Sequence, residues 1–358
     1  MPPPGRDRVP RTDGPLGIEQ ARWKNPLADA FLDTAAKTLD LPRNDDFSGA
    51  DDAGVGYWDL ATWKGRRSST SMCYIEPNRG RPNLHVVTEA LVTNVELEGR
   101  TATGVVYQRG WDIHRARANR EVILSAGALQ TPQLLQVSGI GPGDMLREHG
   151  EPDRSRVRDG SDTCRVESPR SRPGPSPLSR GRVRITSPDP RVSPSFVFNH
   201  LTEDEDVQTL MAGMKLAKRV GEAMPKEVGA REIEPGADAD SDEGLLEYIR
   251  ANADTAFHFC GTARMGSDDM AVVDPQLRVR GVDRLRVIDA SVMPTIASGN
   301  IHPAVLMIGE KGADLVRGRM TPPQGPTSSG AETGARNGLL PSRVRDVTSD
   351  VGAVADLR

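Results

Sequence analysis

His258 lies in a run of small residues, FHFCGTARMG from Phe257 to Gly266, that lets another group approach its ring. Imidazole takes up and returns a proton near neutral pH. His258 is therefore a candidate general base; the alternative is a turn histidine bonded to backbone. Asn300 stands just ahead of a helix begun near Pro303, and its amide offers both a donor and an acceptor. It either holds a substrate oxygen or caps the helix, for which Asn is a favoured residue. His302 is the closer capping candidate. Asp289-Ala290 ends the apolar run LRVI, and ligands of α/β sheets gather beyond strand C-termini. Asp289 thus faces a cofactor or closes a turn. The helix after Asn300 would present partial positive charge to whatever lies before it. These parts suit a base and a hydrogen-bond donor meeting over a cofactor. Arg66 and Arg67, beside a Ser-rich loop, are candidate phosphate contacts, although most such pairs are solvated.

The elements that must position these residues can be read in chain order. From Pro26, Leu27, Phe31, Ala35 and Leu39 recur at spacing four and predict one amphipathic helix face. Residues 84–95 and TATGVVYQ read as strands of a meander leading into EVILS, apolar on both faces as a central strand should be. The SAGA turn then opens a helix, with Pro132 expected in its first turn and Gly139 at its end. GRVRITSPDPRVSPSFVFNHL predicts a strand and an extended segment. DEDVQTLMAGMKLAKRVGEAM predicts a helix with Val207, Leu210, Met214 and Ala217 on one face, and GLLEYIRANA a shorter one. The class is α/β (α+β). EVILSAGA and LRVIDAS should lie in one sheet, so residues 15–150 and 180–317 are expected to pack as one body.

Composition bounds the rest. Apolar residues make up 36 % of the chain, with 36 Gly and 28 Pro, below the ~45–50 % of ordinary globular domains. A globular core carrying unstructured segments follows: residues 1–14, 151–179 and 319–358 are too charged and Pro-rich to offset their ordering entropy. A net charge of −4 gives no reason to expect nucleic acid. Three scattered cysteines make neither a disulfide framework nor a metal site, which fits a reducing cytoplasm. No apolar run is long enough for a transmembrane segment.

Two stretches support a resemblance. SAGALQTPQLLQVSGIGP, and HFCGTARMG followed by VVDPQLRVRGVDRLRVIDASVMPTIASGN, resemble the second and the C-terminal signatures of the glucose–methanol–choline (GMC) oxidoreductases. TDGPL, NPLADAF, NDDFSG and ALVTNV also match that family's FAD domain. The resemblance covers roughly 12–150 and 178–317, and its flavour is choline-dehydrogenase-like. It implies FAD-dependent oxidation of a small-molecule alcohol to an aldehyde or ketone, with a quinone, dye or dioxygen as electron acceptor. By family position His258 assists removal of the hydroxyl proton and Asn300 holds the substrate oxygen. Val92 would meet the adenine through its backbone. Asp289, Ala290, Ile301 and His302 would line the flavin.

The chain also departs from the family pattern. No GxGxxG is present, and the substrate domain's place is taken in part by the charged 151–179 stretch. The expected organisation is a partial FAD-binding domain at 15–150, a linker at 151–179, a remnant substrate domain at 180–256 and a C-terminal FAD/catalytic segment at 257–318. On this reading the fold is an incomplete FAD-binding GMC-type fold, truncated at the N-terminus and in the substrate domain, with weak FAD binding by the chain alone. The competing reading is a non-catalytic remnant that binds a partner.

Overall fold

The structure, a computed structural model, describes residues 14–47, 53–150 and 177–319. Most of the expected tails and of the 151–179 linker lie outside these residues. Residues 177–179 are described and packed: the Ser179 N–H and hydroxyl both bond the Asp206 carboxylate. The described chain falls into two compact units, residues 14–86 and 87–319.

In the first unit, β1 (Glu19–Gln20) pairs antiparallel with β2 (Asp59–Leu60), and β3 (Thr62–Trp63) with β4 (Arg66–Arg67). Between them runs α1 (Pro26–Leu39). Asn25 caps α1 by accepting from the Leu27 N–H at 3.0 Å, Pro26 occupies the first turn, and Asp40 ends the helix at φ 51°. The helix is where its periodicity placed it, but the buried residues are Thr34 and Ala35, while Leu27 and Phe31 are exposed. Arg66 and Arg67 are exposed on β4.

The second unit begins with the expected meander, β5 (Leu91–Glu98), β6 (Thr101–Arg109) and β7 (Asp112–Arg117), antiparallel throughout and bulged between Val92 and Asn94. A bulge turns one residue out of the ladder and increases the local twist. Next, β8 (Val122–Leu124) leads into α2 (Gly127–Val137) and α3 (Gly143–Glu148). β9 (Arg182–Arg184) pairs antiparallel with β10 (Ser195–Val197). Two helices follow, α4 (Asp204–Glu222) and α5 (Asp242–Asn252), the latter capped by Ser241, which accepts from the Gly244 N–H. Val207 and Met211 of α4 pack against Leu245 and Ile249 of α5. Last come β11 (Leu285–Val287), a 3₁₀ turn (Ala290–Val292) and α6 (Ile301–Arg317).

β11 lies parallel to β8, with Leu285 opposite Val122 and Val287 opposite Leu124. The Ser125 hydroxyl donates to the Ile288 carbonyl at 2.9 Å. EVILSAGA and LRVIDAS therefore do share one sheet region. That sheet has two strands among the described residues, and Ile123 is 42 % exposed. β8 is thus not covered on both faces as a central strand would be. Apolar residues of β5, β6, β8, α2, β11 and the 257–296 segment form one continuous core.

Helix α2 holds this core together. Buried Gln136 donates to the Val183 carbonyl and accepts from the Ile185 N–H, and Gln133 reaches the carbonyls of Pro190 and Val192. Ser138 accepts from the Val95 N–H and donates to the Leu134 carbonyl. Pro132 is not in the first turn as expected but inside the helix. A proline there removes one helical N–H and leaves the carbonyl four residues back without its usual donor. That carbonyl belongs to Ala128, and the Thr262 hydroxyl donates to it at 2.6 Å.

Candidate functional site

The segment carrying His258 is held at both ends. Thr255 accepts from the Phe257 N–H, and Phe257 adopts φ 61°, a backbone region that costs a bulky residue about 1–3 kcal/mol. The Phe257 ring is 75 % exposed and Phe259 stacks on Phe198 at 5.1 Å. Beyond His258, Cys260 is fully buried. The chain then runs along the 3₁₀ turn through three backbone bonds: Gly261 N–H to Ala290 O, Ala263 N–H to Ser291 O and Met265 N–H to Val292 O. Thr262, between them, makes the bond to α2.

Asn300 is set by α6. A Cβ at Gly312 would meet Ile288 Cγ2 at 2.5 Å, so the α6 backbone lies directly on the residue that follows β11. Only glycine permits that approach. Asn300 is the N-cap residue of α6, yet its side chain makes no capping bond. Its Nδ2 instead lies 3.2 Å from His258 Nε2. An amide nitrogen donates, so this contact is a hydrogen bond in the ring form whose Nε2 accepts. The structure thus brings the two sequence candidates into contact with each other. His302 is exposed in the first turn of α6 and Ile301 is half-buried.

Asp289 is placed differently from a side chain facing a ligand. It is buried, and both carboxylate oxygens are engaged within the chain. One accepts from the Gly127 N–H at 2.9 Å and the Thr131 hydroxyl at 2.6 Å; the other accepts from the Ser291 N–H and hydroxyl. The carboxylate sits at the N-terminus of α2, where helix partial charge favours an anion. Asp289 thereby ties the end of β11 to the start of α2. Val92 lies on β5 opposite Tyr107, half-buried against the same core and outside the His258–Asn300 pair. Thr131, Ser291 and Thr262 escaped the sequence reading. Pro132 inside a helical pattern was the one available signal, because it implies a carbonyl in need of a donor.

These features fit a flat cofactor bearing negative charge. The C-terminal ends of β8 and β11 and the N-terminus of α6 belong to one packed unit, and the space where side chains at Gly127 and Gly299 would begin is open. Ser125 and Ala126 are exposed beside them.

Comparison with known proteins settles the family. Two family models, both described as GMC oxidoreductase, match residues 6–150 and 177–309. The chain is a GMC oxidoreductase. The enzymes of this family are FAD-dependent alcohol dehydrogenases and oxidases. An oxygen-dependent choline dehydrogenase of Klebsiella pneumoniae (strain 342) is 33 % identical over 406 aligned residues, covering 87 % of this chain and 72 % of the relative. One from Escherichia coli O45:K1 is 31 % identical, covering 95 % and 75 %. Among solved structures, pyridoxine 4-oxidase from Mesorbium loti superposes with a TM-score of 0.75 at 27 % identity, covering 86 % of this GMC chain and 73 % of that one. A formate oxidase shares the fold with a TM-score of 0.76 at 23 % identity, covering 85 % and 73 %. Among the described residues no helix is long and apolar enough to cross a membrane, and no cluster of His, Cys, Asp and Glu has metal-binding geometry.

Proposed function

We propose that this GMC oxidoreductase oxidises the CH–OH group of a small alcohol to a carbonyl, with His258 as base and Asn300 as the donor to the substrate oxygen. The observation that carries the reading is the 3.2 Å approach of Asn300 Nδ2 to His258 Nε2. An alcohol oxygen seated beside the pair, replacing their direct contact, donates its proton to Nε2 and accepts from Nδ2. Loss of that proton makes the oxygen an incipient alkoxide, which the Asn300 amide and the N-terminal end of α6 both favour. FAD, when bound, supplies the acceptor for the hydride that leaves the carbon. The proton taken by His258 and the hydride given up by the carbon account for the two hydrogens the alcohol loses.

The residues that would hold the cofactor are Val92 toward the adenine, and Asp289, Ala290, Ile301 and His302 around the flavin. Because the Asp289 carboxylate is fully bonded, its contribution is through the backbone. The names of the relatives favour a choline-like alcohol with dioxygen as acceptor; quinone or dye acceptors are the alternatives.

The test is steady-state oxidation of an alcohol series by FAD-loaded protein with a dye acceptor. General-base removal costs about 10²–10⁴-fold, so His258→Ala should lower kcat by that factor with little change in KM. Asn300→Ala should cost less. His302→Ala should weaken FAD retention rather than proton transfer. Near-normal turnover in His258→Ala with flavin still bound would assign the base elsewhere.

A further inference from the structure

His258 stands where a pinned stretch of chain meets a bent one. On its C-terminal side Phe259 stacks on Phe198, Cys260 is buried and the Gly261 N–H is bonded to the 3₁₀ turn. On its other side α5 ends at Asn252, and Ala253 is extended at ψ 129°. The chain turns between Ala253 and His258 on two side-chain bonds. The Asp254 carboxylate accepts from the Thr255 N–H at 2.7 Å, and the Thr255 hydroxyl accepts from the Phe257 N–H at 2.9 Å. A threonine hydroxyl that accepts from the N–H two residues on closes a turn of its own.

The turn is strained. Phe257 sits at φ 61°, and it is the only aromatic residue at positive φ among the described residues. Burial of the ring does not compensate, since it is 75 % exposed and its contact with Phe259 is edge-on at 6.5 Å. Strain of this kind gathers where a chain is bent to present a neighbouring group. The chain beyond His258 is pinned, so a Phe257 relaxed to negative φ would turn the peptide that joins it to His258. The Cα–Cβ direction of His258 would turn with that peptide, and the ring would leave its 3.2 Å contact with Asn300.

We propose that Thr255 is a positioning residue for His258: its hydroxyl holds Phe257 at positive φ and thereby aims the imidazole at Asn300. Its effect on turnover rests on the alcohol-oxidation reading, whereas the geometry it sets is that of the chain without cofactor or substrate. In this role Thr255 acts through the backbone of Phe257 and not on the reacting atoms. One neutral hydrogen bond favours the bent form by roughly two- to twelvefold, and that factor sets the scale of what its loss can do. Serine keeps the acceptor and valine keeps only the shape.

The test compares the full-length wild-type chain with Thr255→Val, Thr255→Ser and the double variant Thr255→Val/Phe257→Gly, in which glycine takes positive φ without the hydroxyl's help. The first readout is NMR of the protein without FAD: the His258 imidazole nitrogens and the Asn300 side-chain amide, assigned with His258→Gln and Asn300→Ala. The second is kcat and KM of the FAD-loaded protein with an alcohol series and a dye acceptor. Thr255→Val should move both sets of signals toward their unbonded positions and lower kcat by roughly two- to twelvefold with KM unchanged. Thr255→Ser and the double variant should restore signals and kcat together. A turn that serves stability alone would lower the urea midpoint of Thr255→Val and leave the His258 and Asn300 signals where they are in the wild type, which overturns the proposal. So does a serine variant that fails to restore them. Signals that move while kcat does not would uphold the positioning role and refute the base assignment instead. The wild type also decides without any variant, because rapid hydrogen exchange at the Phe257 amide would show that the bond is absent and overturn the proposal.

Discussion

Thr262→Val isolates one bond that fixes the His258 segment. Thr262 is 2 % exposed and its hydroxyl donates to the Ala128 carbonyl at 2.6 Å. Valine keeps the shape and removes the donor. The Ala128 carbonyl then has no helical donor to fall back on, because residue 132 is proline. A buried acceptor left unpaired costs about 1–3 kcal/mol, and that is the expected loss of stability. Pro132→Ala returns an N–H to the same carbonyl, so in that background the loss should shrink to about 0.5–1.5 kcal/mol, the net worth of an ordinary hydrogen bond. Urea unfolding of the two single variants and the double variant closes the cycle, and a positive coupling of about 1 kcal/mol is expected for groups sharing one acceptor. A Thr262→Val penalty of the same size in the wild-type chain and in the Pro132→Ala background would refute the reasoning. So would no penalty at all.

Gly312→Ala would place a methyl 2.5 Å from Ile288 Cγ2, and overpacking of this kind should cost about 1–3 kcal/mol in urea unfolding, relieved by Ile288→Ala. Asp289→Ala strips four hydrogen bonds from the junction of β11 and α2; it should destabilise by about 3 kcal/mol or more, whereas a carboxylate serving only a ligand would leave apo stability unchanged. Hydrogen bonds from Arg191 hold the half-buried Asp189 carboxyl down from 3.8 to about 2. Its small contribution to stability is therefore present above pH 3.8 and lost as pH falls through about 2. A carboxyl NMR titration should show that midpoint, and Arg191→Gln should raise it.

The site was legible in the sequence to the extent that its residues bear unusual chemistry in small surroundings. His258 and Asn300 stood out by type and by their neighbours. That they meet was expected from the order of parts; what brings them together was not, because it depends on α6 lying against Ile288 and on the 261–265 segment lying along the 3₁₀ turn. Apolar spacing found α1 and α4, while α2 was found from the turn that opens it and the glycine expected to end it. On the expected face of α1 Ala35 is buried but Leu27 and Phe31 are not, because burial depends on neighbours distant in sequence. EVILS looked central because its residues are apolar throughout, and apolar composition does not count partner strands. Asp289 read equally well as ligand contact or turn residue. Its role as a clasp rests on Gly127 and Thr131, more than 150 positions earlier.

The 3₁₀ turn at Ala290–Val292 has a consequence for how the pair tolerates change. His258 arrives on a segment bonded to this turn, and Asn300 arrives on a helix seated on the residue two places before it. Both groups therefore take their positions from a single reference, as two tools clamped in one jig do. A displacement of that reference carries His258 and Asn300 together and leaves the gap between them unchanged. What it alters is their joint height above the strand ends. Substitutions in the meander, or in α4 and α5, can thus drift far without spoiling the spacing of the pair, while a change of one methyl group under α6 reaches it at once.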